Sequence, residues 1–455
     1  MERTLTTQSL EKVGQKIKLQ GWLASIRDHG KISFIDLRDR QGVIQCVGQN
    51  LPKVSTESVV EIEGMVAKRP ANLVNKNITT GEIEVQIAKL TILSLAQELP
   101  FQVDGDGYEL GEEVKLKYRY LDLRRARLQR NLRVRSDYVQ AAREYLFSKD
   151  FVEIETPLLT KSTPEGSRDF IVPSRLNPGK FFALPQSPQQ YKQLLMSAGF
   201  ERYFQIAKCL RDEDPRADRG FEHSQIDLEM SFVTREEVMK VVEEMTVFAL
   251  EKIGAKIVKK PFPILTHKEV METYGSDKFD LRTDAEKKEK GLAFAWIIDF
   301  PFFEKEAEGA WTFTHNPFSQ PVPEHESWLM KKEKIGEILT SQYDLVCNGL
   351  EVAGGSIRSN KPEVLKCVFE ILGHKDEEIE NKFGHMLTAF KLGTPPHGGC
   401  AQGFERLLMA NFGEEYLREV QAFPQTGRGR TSVMDAPSEV DAKLLTELGI
   451  KVVEK

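Results

Sequence analysis

Three segments that lie far apart in the chain each combine an arginine with a carboxylate. They span residues 208–214, 351–358 and 403–406, and their arginines are Arg211, Arg358 and Arg406. A guanidinium group offers a planar set of donors and stays charged at every working pH, so it suits phosphate and carboxylate oxygens. One such arginine would be uninformative, but three of them indicate a polyanionic substrate that is held at several points.

The segment around Arg211 has the pattern of an antiparallel hairpin. An apolar strand at 203–207 leads to Arg211 and Glu213, a polar loop follows over 214–222, and a second strand begins near Ser224. A structural Arg–Glu pair within a hairpin is the alternative explanation, and the hairpin alone does not decide between the two.

Residues 1–100 have the pattern of short β-strands. Apolar and polar residues alternate from Lys16 to Gly21, and further strands are predicted at 32–35, 43–47, 59–62 and 82–87, separated by polar turns. Five short strands in this length fit a small barrel. An OB-fold is the leading candidate, and an all-β interaction module is the alternative.

The rest of the chain has a mixed pattern. Residues 101–135 are polar and rich in Tyr, Asp and Arg, which predicts a hinge. Apolar residues at helical spacing from Leu132 to Leu146 then predict a helix, and a strand at 151–156 runs into Pro157. Residues 136–455 are predicted to form one large α+β domain, whose last helix opens with a capping box from Ser438 to Asp441.

The composition limits the classes of function. The 455 residues include 63 basic and 69 acidic ones, with a formal net charge of −6, so any nucleic-acid binding must use local patches. The five cysteines form no Cys-x-x-Cys pair, which predicts neither a zinc site nor a disulfide framework and favours a reducing compartment. Without an apolar leader or membrane-spanning run, we expect a cytoplasmic protein that binds no membrane.

Three parts of the chain, in this order along the sequence, resemble the three signature motifs of the class II aminoacyl-tRNA synthetases. They are the helix and strand that end at Pro157, the hairpin around Arg211, and Gly403-Phe404-Glu405-Arg406. The resemblance implies a catalytic domain with an antiparallel sheet flanked by helices, and a homodimer interface at the first motif. It assigns Arg211 to the α-phosphate of ATP, Glu213 to the adenine amino group and Arg406 to the γ-phosphate.

Four further blocks resemble the bacterial-type aspartyl-tRNA synthetases of class IIb, and this similarity runs nearly end to end. The blocks are 162–169, 184–193, 314–318 and 343–351. The resemblance assigns the aspartate side chain to Lys192 and Arg358 with His315 nearby, the α-ammonium group to Glu165, Gln189 and Asp227, the α-carboxylate to Gln225, and Mg²⁺ on the ATP phosphates to Asp344 and Glu351.

The implied reaction has two steps. Aspartate attacks ATP to give aspartyl-adenylate and pyrophosphate, and the 3′-terminal adenosine of a tRNA then accepts the aspartyl group. No side chain need act as a covalent nucleophile, so catalysis would rest on positioning and on the charges of Arg211, Arg406 and Mg²⁺. Asparagine, which is neutral at its tip, would leave Lys192 and Arg358 unpaired in a desolvated pocket.

The resemblance assigns the predicted barrel to the tRNA anticodon. Phe34 and Gln45 would stack on and hydrogen-bond to bases, with Arg27 as a basic contact beside them; a core aromatic of the barrel is the alternative for Phe34. His29 matches a loop position where, in the family, histidine accompanies relaxed discrimination between anticodons. The resemblance therefore implies that tRNA-Asn is charged as well as tRNA-Asp, and that an amidotransferase converts the mischarged product. The alternative is a solvated histidine without a role.

Two departures from the family pattern stand out. The bacterial members usually carry an inserted domain, and here residues 283–294 replace it, which predicts a compact form. His223 lies where the family has a phenylalanine that stacks on adenine. Since imidazole can also stack, we expect weaker or pH-sensitive packing of ATP.

Other functions share parts of this pattern. Asparaginyl- and lysyl-tRNA synthetases have the same architecture, but Lys192 with Arg358 favours an acidic side chain. A tRNA-independent aspartate-activating ligase would not need the barrel. A non-catalytic RNA-binding relative would typically lack one of the phosphate arginines.

Overall fold

The computed structural model describes residues 1–162 and 165–453, and the chain forms two compact units that divide after Gly105. Thr163 and Pro164, in the block predicted at 162–169, lie outside the described residues, as do Glu454 and Lys455 at the end of the predicted catalytic domain.

The first unit is a closed five-stranded barrel, as the alternating pattern predicted. The strands are paired in the order β1-β2-β3-β5-β4. Their bounds are β1 Lys16–His29, β2 Ile32–Asp39, β3 Gly42–Gln49, β4 Val59–Lys68 and β5 Ile83–Ser94. Every second residue points inward, so Leu19, Ile35 and Ile62 are buried in the barrel core. At Gly64 a Cβ atom would lie 2.3 Å from the carbonyl oxygen of Gln86, so the close approach of β4 and β5 requires glycine there.

The second unit contains twelve α-helices and twelve strands in its described part. The helices are α1 Glu112–Lys117, α2 Arg119–Asp122, α3 Ala126–Ser148, α4 Gln189–Ser197, α5 Arg235–Lys252, α6 His267–Tyr274, α7 Asp284–Lys288, α8 Glu326–Lys331, α9 Pro362–Ile371, α10 Asp376–Lys391, α11 Phe404–Phe412 and α12 Ala442–Leu448. The strands are β6 Val152–Glu153, β7 Ile171–Pro173, β8 Phe181–Ala183, β9 Arg202–Leu210, β10 Glu222–Ser231, β11 Ile264–Thr266, β12 Phe294–Ile298, β13 Phe303–Lys305, β14 Trp311–Phe313, β15 Gln342–Cys347, β16 Leu350–Ile357 and β17 His397–Gln402.

Eight of these strands form one sheet, in the order β11-β12-β15-β16-β17-β10-β9-β6. The six central strands are antiparallel, and the edge strands β6 and β11 pair in parallel with their neighbours. One face of the sheet packs on helices: Ile226 and Leu228 of β10 share a core with residues of α3, α5 and α11. The alternation of the strands therefore turns the side chains of Gln225, Asp227 and Glu229 to the opposite face.

Two boundaries differ from the sequence patterns. The polar stretch 101–135, predicted as a hinge, contains α1, α2 and the start of α3 in the second unit. Asp122 is fully buried there, and its carboxylate oxygens lie 2.7 Å from Arg119 Nη1 and 2.9 Å from Arg125 Nε, so these charged side chains pair with one another. The last helix begins at Ala442, because Asp441 rather than Ser438 caps its first turn.

Candidate active site

The open face of the large sheet carries a cleft of about 320 Å³, a size typical of small-molecule sites. The strands β10, β15, β16 and β17 form its floor, and α4 and the loop between β9 and β10 contribute to its walls. All the candidate residues of the second unit line this one cleft: Glu165, Gln189, Lys192, Arg211, Glu213, His223, Gln225, Asp227, His315, Asp344, Glu351, Arg358 and Arg406.

At one end of the cleft lies a buried cluster of four charged side chains. Lys192 Nζ is 2.7 Å from Asp227 Oδ1 and 3.2 Å from Glu229 Oε2, and Arg358 Nε donates to Glu229 Oε1 at 2.9 Å. None of the four side chains is more than 3% exposed. The floor beneath them is tight, since a Cβ atom at Gly399 would lie 2.0 Å from Glu229 Oε2.

This cluster corrects the expectation that asparagine would leave the two cations unpaired. Lys192 and Arg358 already have carboxylate partners, so their charges are largely neutralised. What they can still offer a ligand is hydrogen-bond donors. An ammonium group has three donors and a guanidinium group five. Within the described residues, Lys192 donates a hydrogen bond to Asp227 and forms an ion pair with Glu229, and Arg358 uses four donors on Glu229, Ser356 and Gly399, which leaves at least one donor on each cation.

The two acids of the cluster differ in how burial and charge balance. Burial raises the pKa of Asp227, and Lys192 only partly offsets this effect. Burial would also raise the pKa of Glu229, but Arg358 and Lys192 together hold it below its ordinary value. The Oδ2 atom of Asp227 is buried and has no hydrogen-bond partner among the described residues, so it is an acceptor that a cationic group of a ligand could use.

Three other candidates for aspartate binding surround this cluster. Glu165 accepts hydrogen bonds from Ser187 Oγ and Gln190 Nε2, both at 3.1 Å. Gln225 Oε1 accepts the Cys209 thiol at 3.2 Å, which leaves the Nε2 donor of Gln225 for an anionic group. Gln189, the first residue of α4, is buried and lines the cleft.

The other end of the cleft is more open and is crossed by the loop between β9 and β10. Arg219 Nη1 lies 2.7 Å from Glu213 Oε2, and Ser167 Oγ donates to the other carboxylate oxygen of Glu213. Arg406 Nη2 lies 3.2 Å from Asp218 Oδ2. Arg211, by contrast, has no carboxylate partner in the described part of the chain, and its Nε donates weakly to the carbonyl oxygen of residue 186 at 3.4 Å. Its guanidinium group is thus available to an anion.

His223 lies among cations at this end, on the same strand face as Gln225. Burial, together with the charges of Arg211, Arg406, Lys208 and Arg219, lowers the pKa of His223 to about 3. The imidazole is therefore neutral between pH 6 and 8. A neutral imidazole argues against pH-sensitive packing through this residue in that range, and the expectation of weaker packing of ATP stays a prediction.

The candidate magnesium ligands, Asp344 and Glu351, lie on the neighbouring strands β15 and β16. Asp344 accepts from Gln342 Nε2 at 2.7 Å and lies 3.0 Å from His315 Nε2, which helps raise the pKa of His315 in spite of burial. Glu351 is 3.6 Å from Lys278 Nζ. The described residues contain no group of three or more such ligands that could hold a metal ion. Two carboxylates fit Mg²⁺, which commonly uses one or two of them together with phosphate oxygens.

Several residues of the site were not predicted from sequence. Glu229 follows Asp227 by two positions on β10, so strand alternation could have placed both on one face. Asp218 and Arg219 belong to a charged loop, and nothing in their spacing reveals that they pair with Arg406 and Glu213.

The candidate anticodon residues of the first unit differ in their exposure. Phe34 pairs across the strands with Arg27, is only partly buried, and points away from the core formed by Ile35 and its neighbours. Its ring contacts His29 edge-on at 5.7 Å, and His29 and Arg27 lie toward the solvent-exposed end of β1. Gln45, by contrast, is buried and accepts a hydrogen bond from Arg69 Nη2 at 2.8 Å.

Comparison with known proteins gives both units a family. Residues 111–427 match the tRNA synthetases class II (D, K and N), and residues 17–93 match the OB-fold nucleic acid binding domain. The chain is 37% identical to the aspartate–tRNA(Asp/Asn) ligase of Roseobacter denitrificans, covering 99% of each chain, and 39% identical to that of Phenylobacterium zucineum, covering 96% of each.

The fold has a counterpart among solved structures. The asparaginyl-tRNA synthetase from Pyrococcus horikoshii complexed with asparaginyl-adenylate superposes with a TM-score of 0.75 at 21% identity, over 94% of this chain and 98% of that one. Among the described residues, none of the helices combines the length and the apolar character needed to traverse a bilayer.

The chain is shorter than these bacterial relatives. Its alignment with the Roseobacter ligase runs over 587 positions, which exceeds the 455 residues of this chain by 132, although it covers 99% of both chains. The relative therefore has internal sequence that this chain lacks. The chain belongs to the class II tRNA synthetases, as a compact member of the aspartate–tRNA(Asp/Asn) ligase family, and is an ATP-using ligase.

Proposed function

We propose that the chain activates L-aspartate with ATP to aspartyl-adenylate and then transfers the aspartyl group to the 3′-terminal adenosine of tRNA-Asp and tRNA-Asn. The observation that carries this proposal is that one cleft brings the buried pair Lys192 and Arg358 together with Arg211 and Arg406. A side-chain carboxylate suits the hydrogen-bond donors that Lys192 and Arg358 have left, and a triphosphate suits the charges of Arg211 and Arg406.

Selection of aspartate rests on the donors that remain on Lys192 and Arg358. A carboxylate accepts a hydrogen bond from each of them. The amide of asparagine would turn its own N–H donors toward at least one of these cations, so a buried donor would face another donor. The α-ammonium group of the substrate would in turn use the free Oδ2 atom of Asp227.

In the activation step, the substrate α-carboxylate attacks the α-phosphorus, and pyrophosphate leaves. Arg211 would bind the α-phosphate, where charge builds up during the in-line displacement, and Arg406 would hold the γ-phosphate. Glu213 would accept the adenine amino group, and His223 would stack on the base. Asp344 and Glu351 would hold Mg²⁺, which neutralises phosphate charge when it is bound.

The barrel, residues 1–100 in this proposal, would bind the tRNA anticodon. Phe34 offers a partly exposed ring for stacking, with Arg27 beside it and the amide of Gln45 for base recognition. His29 contacts Phe34, which supports a role at the base where tRNA-Asp and tRNA-Asn differ. Charging of tRNA-Asn would require a tRNA-dependent amidotransferase to act on the product.

We further propose a homodimer, formed in the cytoplasm, through the surface around Pro157. Leu158, Leu159 and Ile171 are large apolar side chains that are each more than half exposed there. Thr160 pairs with Ala183 beside them, which joins this segment to the hairpin of β7 and β8. Apolar exposure of this kind is typical of a protein–protein interface.

The domain that the bacterial relatives insert would fall at 283–294 in this chain, where the short helix α7 leads to β12.

ATP–pyrophosphate exchange with aspartate, asparagine and lysine in turn tests the activation step. We expect exchange with aspartate alone; exchange with asparagine at a comparable rate would refute the assignment. Charging of purified tRNA-Asp and tRNA-Asn tests the second step. If no aspartyl-tRNA-Asn forms, the relaxed specificity is wrong although the activation step stands.

A further inference from the structure

A chain of three buried side chains leads from the interior of the second unit to the cleft. His397 Nδ1 lies 2.8 Å from the carbonyl oxygen of Pro395, His397 Nε2 lies 3.0 Å from Gln193 Nε2, and Gln193 Oε1 accepts Gln189 Nε2 at 2.9 Å. His397 and Gln193 are inaccessible to solvent, and Gln189 is 9% exposed. His397 and Gln193 have no role in the reaction derived above.

The direction of the hydrogen bonds in this chain follows from its buried end. A carbonyl oxygen only accepts, so His397 Nδ1 carries the proton that bonds to Pro395. Burial and the nearby charges of Arg358 and Lys192 lower the pKa of His397 although Glu229 opposes them, so the ring is neutral and Nε2 is an acceptor. Gln193 must then donate its Nε2 to His397, which turns its oxygen toward Gln189.

The hydrogen bond between Gln193 and His397 thus determines which end of the Gln189 amide faces the cleft. Gln189 uses one N–H of Nε2 on Gln193, which turns Nε2 toward Gln193 and leaves its Oε1 acceptor, with no partner among the described residues, for a ligand in the cleft. If His397 Nε2 carried a proton, both amides would reverse, and Gln189 would offer a donor instead. An ammonium group requires an acceptor, so only one of the two arrangements suits it.

We propose that His397 and Gln193 are positioning residues that orient the Gln189 amide so that its oxygen binds the α-ammonium group of the amino-acid substrate. This inference rests on the proposed activation of aspartate. It concerns recognition of the ammonium group and leaves the contacts of the two substrate carboxylates to Lys192, Arg358 and Gln225.

The test compares aspartate with succinate, which keeps both carboxylates and lacks the ammonium group. In Gln193→Met, which has a similar volume and no hydrogen bonds, we expect the KM for aspartate in ATP–pyrophosphate exchange to rise about 10-fold, the effect of one buried hydrogen bond to a charged group. The inhibition constant of succinate and the KM for ATP should change less than about 2-fold. Ser197→Ala is the matched control, since it removes hydrogen bonds of α4 to Thr394 and to the backbone carbonyl of Gln193 but leaves the side-chain amide of Gln193 untouched.

Two variants of His397 provide a second test that does not depend on succinate. His397→Gln keeps an acceptor within reach of Gln193 and should restore much of the aspartate affinity that His397→Leu loses, while thermal unfolding checks that both variants fold. Equal weakening of aspartate and succinate, or an unchanged KM for aspartate in Gln193→Met and His397→Leu, would overturn the proposal. If the wild-type chain supports no exchange with aspartate at all, the proposed function itself fails, and this inference fails with it.

Discussion

The two ends of the cleft use charge in opposite ways. At the amino-acid end of the proposed site, Lys192, Asp227, Glu229 and Arg358 are at most 3% exposed and pair with one another and with neighbouring polar groups. At the ATP end, Arg406, Asp218, Arg219 and Glu213 are 22–36% exposed, and the pairs they form involve a surface loop.

The buried ion pairs therefore form a fixed end of the cleft, whereas the partly exposed ion pairs form an exchangeable end, where a ligand can replace them. A buried ion pair from which one partner is removed leaves an uncompensated charge and costs about 3–5 kcal/mol, whereas a solvent-exposed pair contributes about 0–1 kcal/mol. The amino-acid end is therefore built before the substrate arrives. In the proposed site, ATP would displace Asp218 and Arg219 at little cost, because its phosphates would offer Arg406 the same kind of ion pair that Asp218 offers.

The largest effect is expected at the centre of the fixed end. Glu229→Gln removes the shared partner of Lys192 and Arg358, so we expect a loss of about 3–5 kcal/mol in the free energy of unfolding and at least about a 100-fold loss in kcat/KM for aspartate. Urea unfolding and pyrophosphate exchange measure the two. The control Glu251→Gln removes an exposed pair with Lys260, and stability should change by less than about 1 kcal/mol. If Glu229→Gln and Glu251→Gln lowered the free energy of unfolding equally, the buried ion pairs would be no more important to stability than exposed ones, contrary to the contrast drawn between the two ends.

Arg211→Gln should affect catalysis without affecting stability. Because Arg211 has no carboxylate partner among the described residues, its removal leaves no buried charge. We expect kcat for exchange to fall about 100- to 1000-fold, as when a preorganised group that stabilises the transition state is removed, and the unfolding midpoint to stay unchanged. Arg216→Gln, in the same loop but outside the cleft lining, is the control. A higher KM for ATP with kcat intact would contradict the role at the α-phosphate.

Asp218→Asn tests whether ATP has to displace an ion pair of Arg406 when it binds. The variant weakens a partly exposed pair with Arg406 that ATP has to displace, so the KM for ATP should fall about 2- to 5-fold. Asp214→Asn, on the exposed part of the same loop, should leave it unchanged. A higher KM for ATP in Asp218→Asn would mean that Asp218 supports ATP binding instead of competing with it.

The smallest effect is expected for His223→Phe. With the pKa of His223 near 3, the imidazole is neutral at pH 6 and at pH 8, so the ratio of the ATP KM values of variant and wild type should be the same at both. Stability should differ on acidification. The unfolded imidazole takes up a proton near pH 6.5 that the folded one takes up only near pH 3, so from pH 7 to pH 5 the wild type should lose stability relative to the variant. A KM ratio that changes between pH 6 and 8 would show that His223 titrates in that range.

Local patterns were sufficient for the barrel and for the hairpin around Arg211. The alternation from Lys16 to Gly21 and the strand before Arg211 depend on neighbours in sequence, and the structure has strands at both places. The candidate residues of the second unit lie on strands, helices and loops that are far apart in sequence, so the resemblance, and no local pattern, predicted that they share a site.

Contacts between distant segments could not be predicted in the same way. Glu229 faces Arg358 across 129 positions, and Gln193 meets His397 across 204, so their partners depend on the register of the sheet. The burial of Asp122 between Arg119 and Arg125 was hidden for a similar reason: a polar composition is typical of an exposed segment, and only the fold shows that these groups neutralise one another.

Equilibrium binding of two adenylate analogues, the aspartyl- and asparaginyl-sulfamoyl adenosines, to the wild-type chain tests whether Lys192 and Arg358 select the acidic side chain. Both fill the ATP end identically and differ only at the atoms that reach Lys192 and Arg358. We predict a Kd at least about 1000-fold lower for the aspartyl analogue, since the asparaginyl amide sets donors against donors. Dissociation constants within about 10-fold of each other would show that these two cations do not select the acidic side chain.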